Sequence, residues 1–260
     1  MLMKSRALLF VLLTPVFCAA AEAQTQRLPP RPATPQRSVI NEKVFFSAGV
    51  LFQVNSNDFT DTATIRRNAE NGRLETAYDV GGGLAFDVSG SYLVWKQLAI
   101  GVGLTLFSAS TTTEINAQVP HPFFFNQPRT VTGEFDGDRS ETAVHIQAKW
   151  LVPVGPKMLV TIFGGPSFFS VEQDIVNDFE FSESYPYDTA TFTRAIAASQ
   201  SESAVGVNVG GDVAYFFTPN VGVGGTAQYS GATVEMTTPS GTADVKAGGL
   251  QVGGGIRLRF

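Results

Sequence analysis

From residue 43 to the end of the chain, apolar and polar positions alternate almost one for one over eight stretches: 43–54, 77–92, 98–109, 140–152, 158–170, 201–217, 221–232 and 246–260. A period of two is the signature of β-strands with two unlike faces. The stretches are joined by gaps that are long (55–76, 110–139, 171–200, 233–245) and short (93–97, 153–157, 218–220) in strict alternation. Short turns at one end and long connections at the other describe an antiparallel up-and-down meander. Eight such strands can close on themselves and so remove both sheet edges. Helical periodicity is confined to the first residues. The fifth strand carries Gly164-Gly165-Pro166, which predicts a bulge there.

Alternation alone leaves open which face points inward, and the composition of the two faces decides it. One parity is apolar: Val44, Phe46, Val50 and Phe52; Tyr78, Val80, Leu84, Phe86 and Val88; Leu98, Ile100, Val102, Leu104 and Leu106; Val144, Ile146 and Trp150; Val205, Val207, Val209, Val213, Tyr215 and Phe217. The other is glycine-rich (Gly101, Gly103, Gly206, Gly210, Gly222, Gly224, Gly253, Gly255), with Asp87, His145, Gln147, Lys149, Asn208, Asp212, Gln228, Gln251, Arg257 and Arg259 among the glycines. Glycine weakens strands and adds nothing to solubility, so it makes a poor solvent face. Inside a narrow barrel it leaves room for a few large polar side chains. An Arg or Lys on a lipid face would cost about 2–4 kcal/mol at the bilayer midplane. The expectation is therefore apolar outward, glycine and charge inward: an all-β, eight-stranded antiparallel transmembrane β-barrel. Aromatic residues fall near both strand ends, with Tyr92, Trp95, Trp150, Tyr215, Phe217 and Phe260 at the short-turn end and Phe52, Tyr78, Phe168 and Tyr229 at the other. Two such girdles suit the two membrane interfaces.

The last stretch ends on "VGGGIRLRF", with Val252, Ile256, Leu258 and Phe260 on the apolar parity and Gly254 the weak position. On these residues, and on the barrel pattern of 43–260, the chain resembles the small OmpA/OmpX-type outer-membrane barrels. The resemblance implies that the terminal aromatic and its alternate apolar neighbours are read as an assembly signal by the barrel-insertion machinery.

Composition places the barrel behind a leader. Lys4 and Arg6 precede an apolar run from Ala7 to Ala20, and Ala21-Glu22-Ala23 offers small residues at a cleavage site, so residues 1–23 read as a signal peptide. Cys18 raises a lipoprotein alternative, which bulky Phe17 opposes. Removing the leader takes away the only cysteine and moves the formal charge from −5 to −6, since Lys4, Arg6 and Glu22 go with it. Residues 24–42 form a Pro/Arg-rich segment, with four prolines and three arginines between 27 and 38. Proline at that density resists helix and sheet and reads as a semi-extended periplasmic linker. The charge balance gives no basic patch for nucleic acid.

Candidate chemistry is sparse. Asp87, Lys149, Asp212, Arg257 and Arg259 fall inward toward the short-turn end, and buried charges persist only when paired, so an interior charge network is expected, acting as a plug or as a gate. The two histidines, His121 and His145, are followed by Pro122-Phe123 and Ile146-Gln147. They lack the His-x-Ser pair of lipid A deacylases in this barrel class, and no catalytic, cofactor or metal residues are assigned. The third long gap holds Glu172, Asp174, Asp178, Glu180, Glu183 and Asp188 against Arg194. It reads as an acidic surface beside lipopolysaccharide, weakly bridged by divalent cations. The second holds "HPFFFNQP", whose Phe123, Phe124 and Phe125 form either a contact site or a cap on the barrel mouth.

The resulting expectation is a monomeric protein of the cell outer membrane with both termini periplasmic. Its partners would be membrane lipid, lipopolysaccharide and the assembly machinery. Its role would be structural or surface-interacting, through four long extracellular loops above a plugged interior. The alternatives are a narrow porin-like channel and, third, an envelope-lipid enzyme.

Overall fold

The computed structural model describes residues 40–54 and 57–260. The expected signal peptide and most of the Pro/Arg segment lie outside these residues. Ten antiparallel strands are present among them: β1 (Val44–Gln53), β2 (Phe59–Arg67), β3 (Glu70–Val80), β4 (Gly83–Trp95), β5 (Leu98–Val119), β6 (Arg129–Val154), β7 (Met158–Glu183), β8 (Ala190–Phe216), β9 (Val221–Thr238) and β10 (Gly241–Arg259). Eight of them pair in the cycle β5-β4-β1-β10-β9-β8-β7-β6, and the β5–β6 ladder closes the ring. The first and last strands meet through Phe45↔Arg259 to Gln53↔Gln251. The Phe260 carbonyl accepts from the Lys43 and Val44 amides at 2.7 and 3.0 Å.

The ring is apolar outside. Phe86, Val102, Ile146, Ile162, Val207, Val223, Val252 and Ile256 are all exposed, as are Tyr92, Trp95, Trp150, Tyr215, Phe217 and Phe260 at the short-turn end. Water-soluble monomers rarely expose contiguous apolar patches above a few hundred Å². A continuous belt around a closed ring is a lipid-facing surface, and the fold is a transmembrane β-barrel. The glycines line the inside as expected. A Cβ at Gly224 would sit 3.0 Å from Arg257 Nε, so this glycine makes the room that the arginine occupies. At Gly255 it would lie 2.0 Å from the Ala48 carbonyl oxygen, so β10 and β1 approach too closely for any side chain.

Three expectations need correction. The long connections are not loops. β5 runs on to Val119 and β6 begins at Arg129; β7 and β8 extend to Glu183 and from Ala190, and β9–β10 turn only at Pro239-Ser240. In β5 the inward side is Thr111, Thr113, Ile115, Ala117 and Val119, and the outward side includes Thr112, Glu114 and Asn116. Threonine favours strands but sits on both faces, which erases the apolar–polar contrast without ending the strand. Second, Tyr78 and Val80 point inward and are buried. The chain breaks at Gly81-Gly82 between β3 and β4, and the buried parity passes from even positions (Leu74, Thr76, Tyr78) to odd ones (Ala85, Ser89, Ser91) across it. Third, no bulge forms at Gly164-Gly165-Pro166. His145↔Ser167 and Ala148↔Gly164 share one register, with two ladder pairs missing between them. Proline lacks the N–H for that ladder, and Asn208 Nδ2 donates instead to the Gly165 carbonyl at 3.0 Å. The register shifts of β7 lie further on, at Val176/Asp178 and Glu180/Phe181.

Above the ring the ladders separate. β6 leaves β7 beyond Arg139↔Gln173, β8 meets β9 only from Val207↔Gly231, and β1 leaves β10 beyond Gln53↔Gln251. A four-stranded sheet, β2-β3-β5-β6, and two ribbons, β7–β8 and β9–β10, stand over the barrel. They pack on one another: Leu74, Ile115, Val119 and Val131 of the sheet bury against Val176 and Phe179 of the β7–β8 ribbon. The head is a folded β-structure with its own core.

Candidate functional site

The interior is built in layers from inward-pointing strand positions. At the short-turn end, Ala99, Leu151, Leu159, Ala214 and Phe216 form a buried apolar cluster. Next comes a charged layer. Arg257 Nε donates to Asp212 Oδ2 at 3.0 Å, and Thr226 Oγ1 donates to the same carboxylate at 2.8 Å. Asp87 accepts from Thr105 Oγ1 at 2.9 Å, and Lys149 Nζ donates to Ser89 Oγ at 2.8 Å. A cavity of about 60 Å³ lies among Asp87, Lys149, Asp212 and Arg257. Of the five interior charges expected from the sequence, the structure brings these four to one level. Arg259 stands apart at the rim, 3.2 Å from Glu42 Oε1, with its Nε donating to the Pro219 carbonyl at 2.7 Å and its guanidinium 4.0 Å over Phe216.

Above the charges lies a neutral polar layer. His145 shares a hydrogen bond of 2.7 Å with Ser167 Oγ through Nδ1 and one of 3.0 Å with Thr105 Oγ1 through Nε2. A serine, a histidine and an acid therefore lie along one chain. Asp87, however, reaches the imidazole only through Thr105, and both Ser167 and His145 are fully buried. Gln53, Gln251 and Gln228 form a side-chain ladder, with bonds of 2.9 and 2.8 Å.

The next level was not anticipated from the sequence. Arg139 is fully buried, donating to Glu141 Oε1 at 2.8 Å, Gln173 Oε1 at 2.8 Å and the Lys246 carbonyl at 2.6 Å. Glu141 Oε2 in turn accepts from the Gly248 amide at 2.7 Å. The signal was present: 139, 141, 145, 147 and 149 share one parity, and carrying the alternation one step past residue 140 would have placed Arg139 inside. Tyr78, Phe169, Val171, Ile175, Val234, Met236 and Val245 close the stack as an apolar cluster.

The second candidate region is the far end of the head. The 120–128 tip of the β5–β6 hairpin exposes Phe123, Phe124 and Phe125, at 68%, 54% and 72%. Arg129 ties it to the β7–β8 tip, donating to Glu183 Oε2 at 2.5 Å, the Tyr187 carbonyl at 2.9 Å and the Pro120 carbonyl at 3.1 Å. Phe123 lies 5.4 Å from Tyr187 between ring centroids, and Tyr187 lies 6.2 Å from the exposed Tyr185. Non-glycine residues with positive φ mark both tips, Asn126 at 58° and Tyr187 at 72°. Such backbone is held by its surroundings. The β2–β3 turn joins in, with Asn68 Nδ2 donating to the Pro120 carbonyl at 3.0 Å and Glu70 Oε1 accepting from the Asn126 amide at 3.1 Å.

The acidic segment after residue 171 finds partners on other strands. Arg67 of β2 binds Asp178 at 2.7 Å and Arg129 of β6 binds Glu183, while Arg194 of β8 binds Glu180 at 2.6 Å. Arg194 holds the Glu180 carboxyl below its ordinary pKa, chiefly through the hydrogen bonds it donates. Among the described residues no cluster of three or more His, Cys, Asp or Glu has the arrangement to hold a metal. Of the expected assembly-signal residues, Val252, Ile256 and Leu258 lie on β10 and Phe260 directly follows it; Val252, Ile256 and Phe260 are exposed and Leu258 is half-buried.

No protein-family model and no curated protein matches this chain. Solved structures similar to it include the outer membrane protein OprG from Pseudomonas aeruginosa (8% identity over 84% of this chain and 96% of that one, TM-score 0.46). Neisserial surface protein A is another (13%, 84% and 97%, TM-score 0.42). The outer membrane protease OmpT from Escherichia coli is a third (9%, 88% and 100%, TM-score 0.47).

Proposed function

We propose that this chain is an integral outer-membrane protein whose barrel is closed to solutes and which works through contacts made by its outer head. The observation that carries this reading is the stacking of buried side chains across the lumen. Apolar clusters lie at both ends, around Phe216 and around Phe169, with hydrogen-bonded polar layers between them. Eight strands give an interior that side chains can just fill. The exposed aromatic tip at the far end of the head supplies a contact surface. In this reading both termini face the periplasm, the belt meets membrane lipid, the acidic head lies beside lipopolysaccharide and its divalent ions, and the protein is a monomer. Val252, Ile256, Leu258 and Phe260 would address it to the assembly machinery.

A narrow ion channel is the second reading, favoured by the cavity beside Asp87, Lys149, Asp212 and Arg257. Catalysis on envelope lipid has less support, because Ser167 and His145 are enclosed. Single-channel recording on the refolded protein in planar bilayers tests the choice. The closed-barrel reading expects silence from wild type and from Arg257→Ala. Steady conductance in wild type that rises in Arg257→Ala would replace it with the channel.

A further inference from the structure

His121 sits under the aromatic tip with a side chain only 3% exposed. Its Nδ1 accepts two backbone hydrogen bonds, from the Phe123 amide at 3.1 Å and the Phe124 amide at 3.2 Å. Its ring lies 4.8 Å from that of Phe124. This is the role an Asn or Asp side chain takes at the start of a turn, where an acceptor satisfies the N–H groups two and three residues on. An imidazole can fill it in one state only. With Nδ1 accepting, the proton must be on Nε2, and the ring must be neutral, because both nitrogens of imidazolium are donors.

The surroundings give the protonated ring somewhere to go. Among the described residues Nε2 is buried without a hydrogen-bond partner, and Asp188 Oδ1, on the β7–β8 tip, lies 3.9 Å from it. From β6, the Arg129 guanidinium is already engaged by Glu183. From the β2–β3 hairpin, Glu70 is held by the Asn126 amide and Arg67 by Asp178. Asp188 is thus the charged group on the neighbouring tip that faces His121 and would attract an imidazolium.

We propose that His121 is a proton-operated latch on the aromatic tip. Neutral, it holds the 121–124 turn and fixes Phe123, Phe124 and Phe125 in place. Protonated, it gives up both amide bonds, turns its charge toward Asp188 and releases the three phenylalanines. Acid, by protonating the ring, opens the latch. The inference rests on reading the tip as the contact surface, and it names how that surface is regulated.

Hydrogen exchange of the Phe123 and Phe124 amides, in the full chain refolded into detergent micelles and expressed as protection factors, tests the latch without needing any partner. In wild type, protection at about pH 7.5 should fall about tenfold or more by about pH 5. His121→Asn keeps an acceptor that does not titrate and should remain protected at both values. His121→Ala should be unprotected at both. Equal wild-type protection at both pH values, or a loss shared by His121→Asn, would overturn the latch. Loss of surface binding in a Phe123→Ser, Phe125→Ser variant is scored separately and bears only on the contact reading.

Discussion

Arg139 shows what one buried charge does when each of its guanidinium nitrogens is engaged. Its guanidinium is fully buried, so Glu141, Gln173 and the Lys246 carbonyl take the place of hydration, and removing it strands Glu141 in the interior. Arg139→Ala should cost about 3–5 kcal/mol, seen as a lower urea midpoint in micelles, whereas Glu141→Gln retains an acceptor for the Gly248 amide and should cost less. Tyr78 is a neutral counterpart. Its hydroxyl accepts from the Val176 amide at 2.9 Å, bridging β3 to β7. Tyr78→Phe should lose about 1–3 kcal/mol, the penalty of a buried N–H left alone. At the exposed Glu180–Arg194 pair the effect is one of titration rather than stability. The Glu180 carboxyl titrates below its ordinary value, so whatever the pair contributes is present above the unfolded pKa and fades as pH falls through the folded one. Arg194→Ala should return the Glu180 titration, followed by NMR, to the ordinary carboxylate range.

At the scale of elements, β10 and β1 carry the closure. Gly253 and Gly255 lie where a Cβ would meet the backbone of β1, at 2.1 Å from the Val50 carbonyl oxygen and 2.0 Å from that of Ala48. Gly255→Val should therefore prevent the β1–β10 ladder from forming, and the variant should fail to gain the compact, heat-modifiable gel mobility of a folded barrel. The eight ring strands were legible because one face meets lipid and the other meets a crowded lumen, which forces strong alternation. The upper strands were not legible for the opposite reason. Residues such as Thr111 to Val119 and Arg129 to Arg139 pair one face with other strands of the head and the other with water, and threonine serves both. The break at Gly81-Gly82 was visible as glycine, but the reversal of facing across it was not, because period two carries no record of a skipped residue.

The described residues form a barrel continued upward into a folded head, and that makes a claim about proteolysis. Flexible loops of this length would be cut at their arginines. In the folded protein, trypsin should spare Arg129 and Arg139, which are buried, even though both lie in what the alternation marks as a single long connection. Rapid cleavage at both in intact protein would mean the head is not ordered.

The order of alternating stretches was enough to establish strand number in the ring, antiparallel order, the outward direction of the apolar face and the inward direction of Asp87, Lys149, Asp212 and Arg257. All of these follow from local chemistry repeated every second residue. Partnership is different in kind. That Arg67 meets Asp178, that Arg129 clamps the aromatic tip, that Arg139 closes on Gln173 and Lys246, and that Arg259 leaves the interior charges for Glu42 depend on residues far apart in the chain meeting at one height. Height is set by the tilt and stagger of closed strands, a property of the ring as a whole that no single stretch of residues encodes.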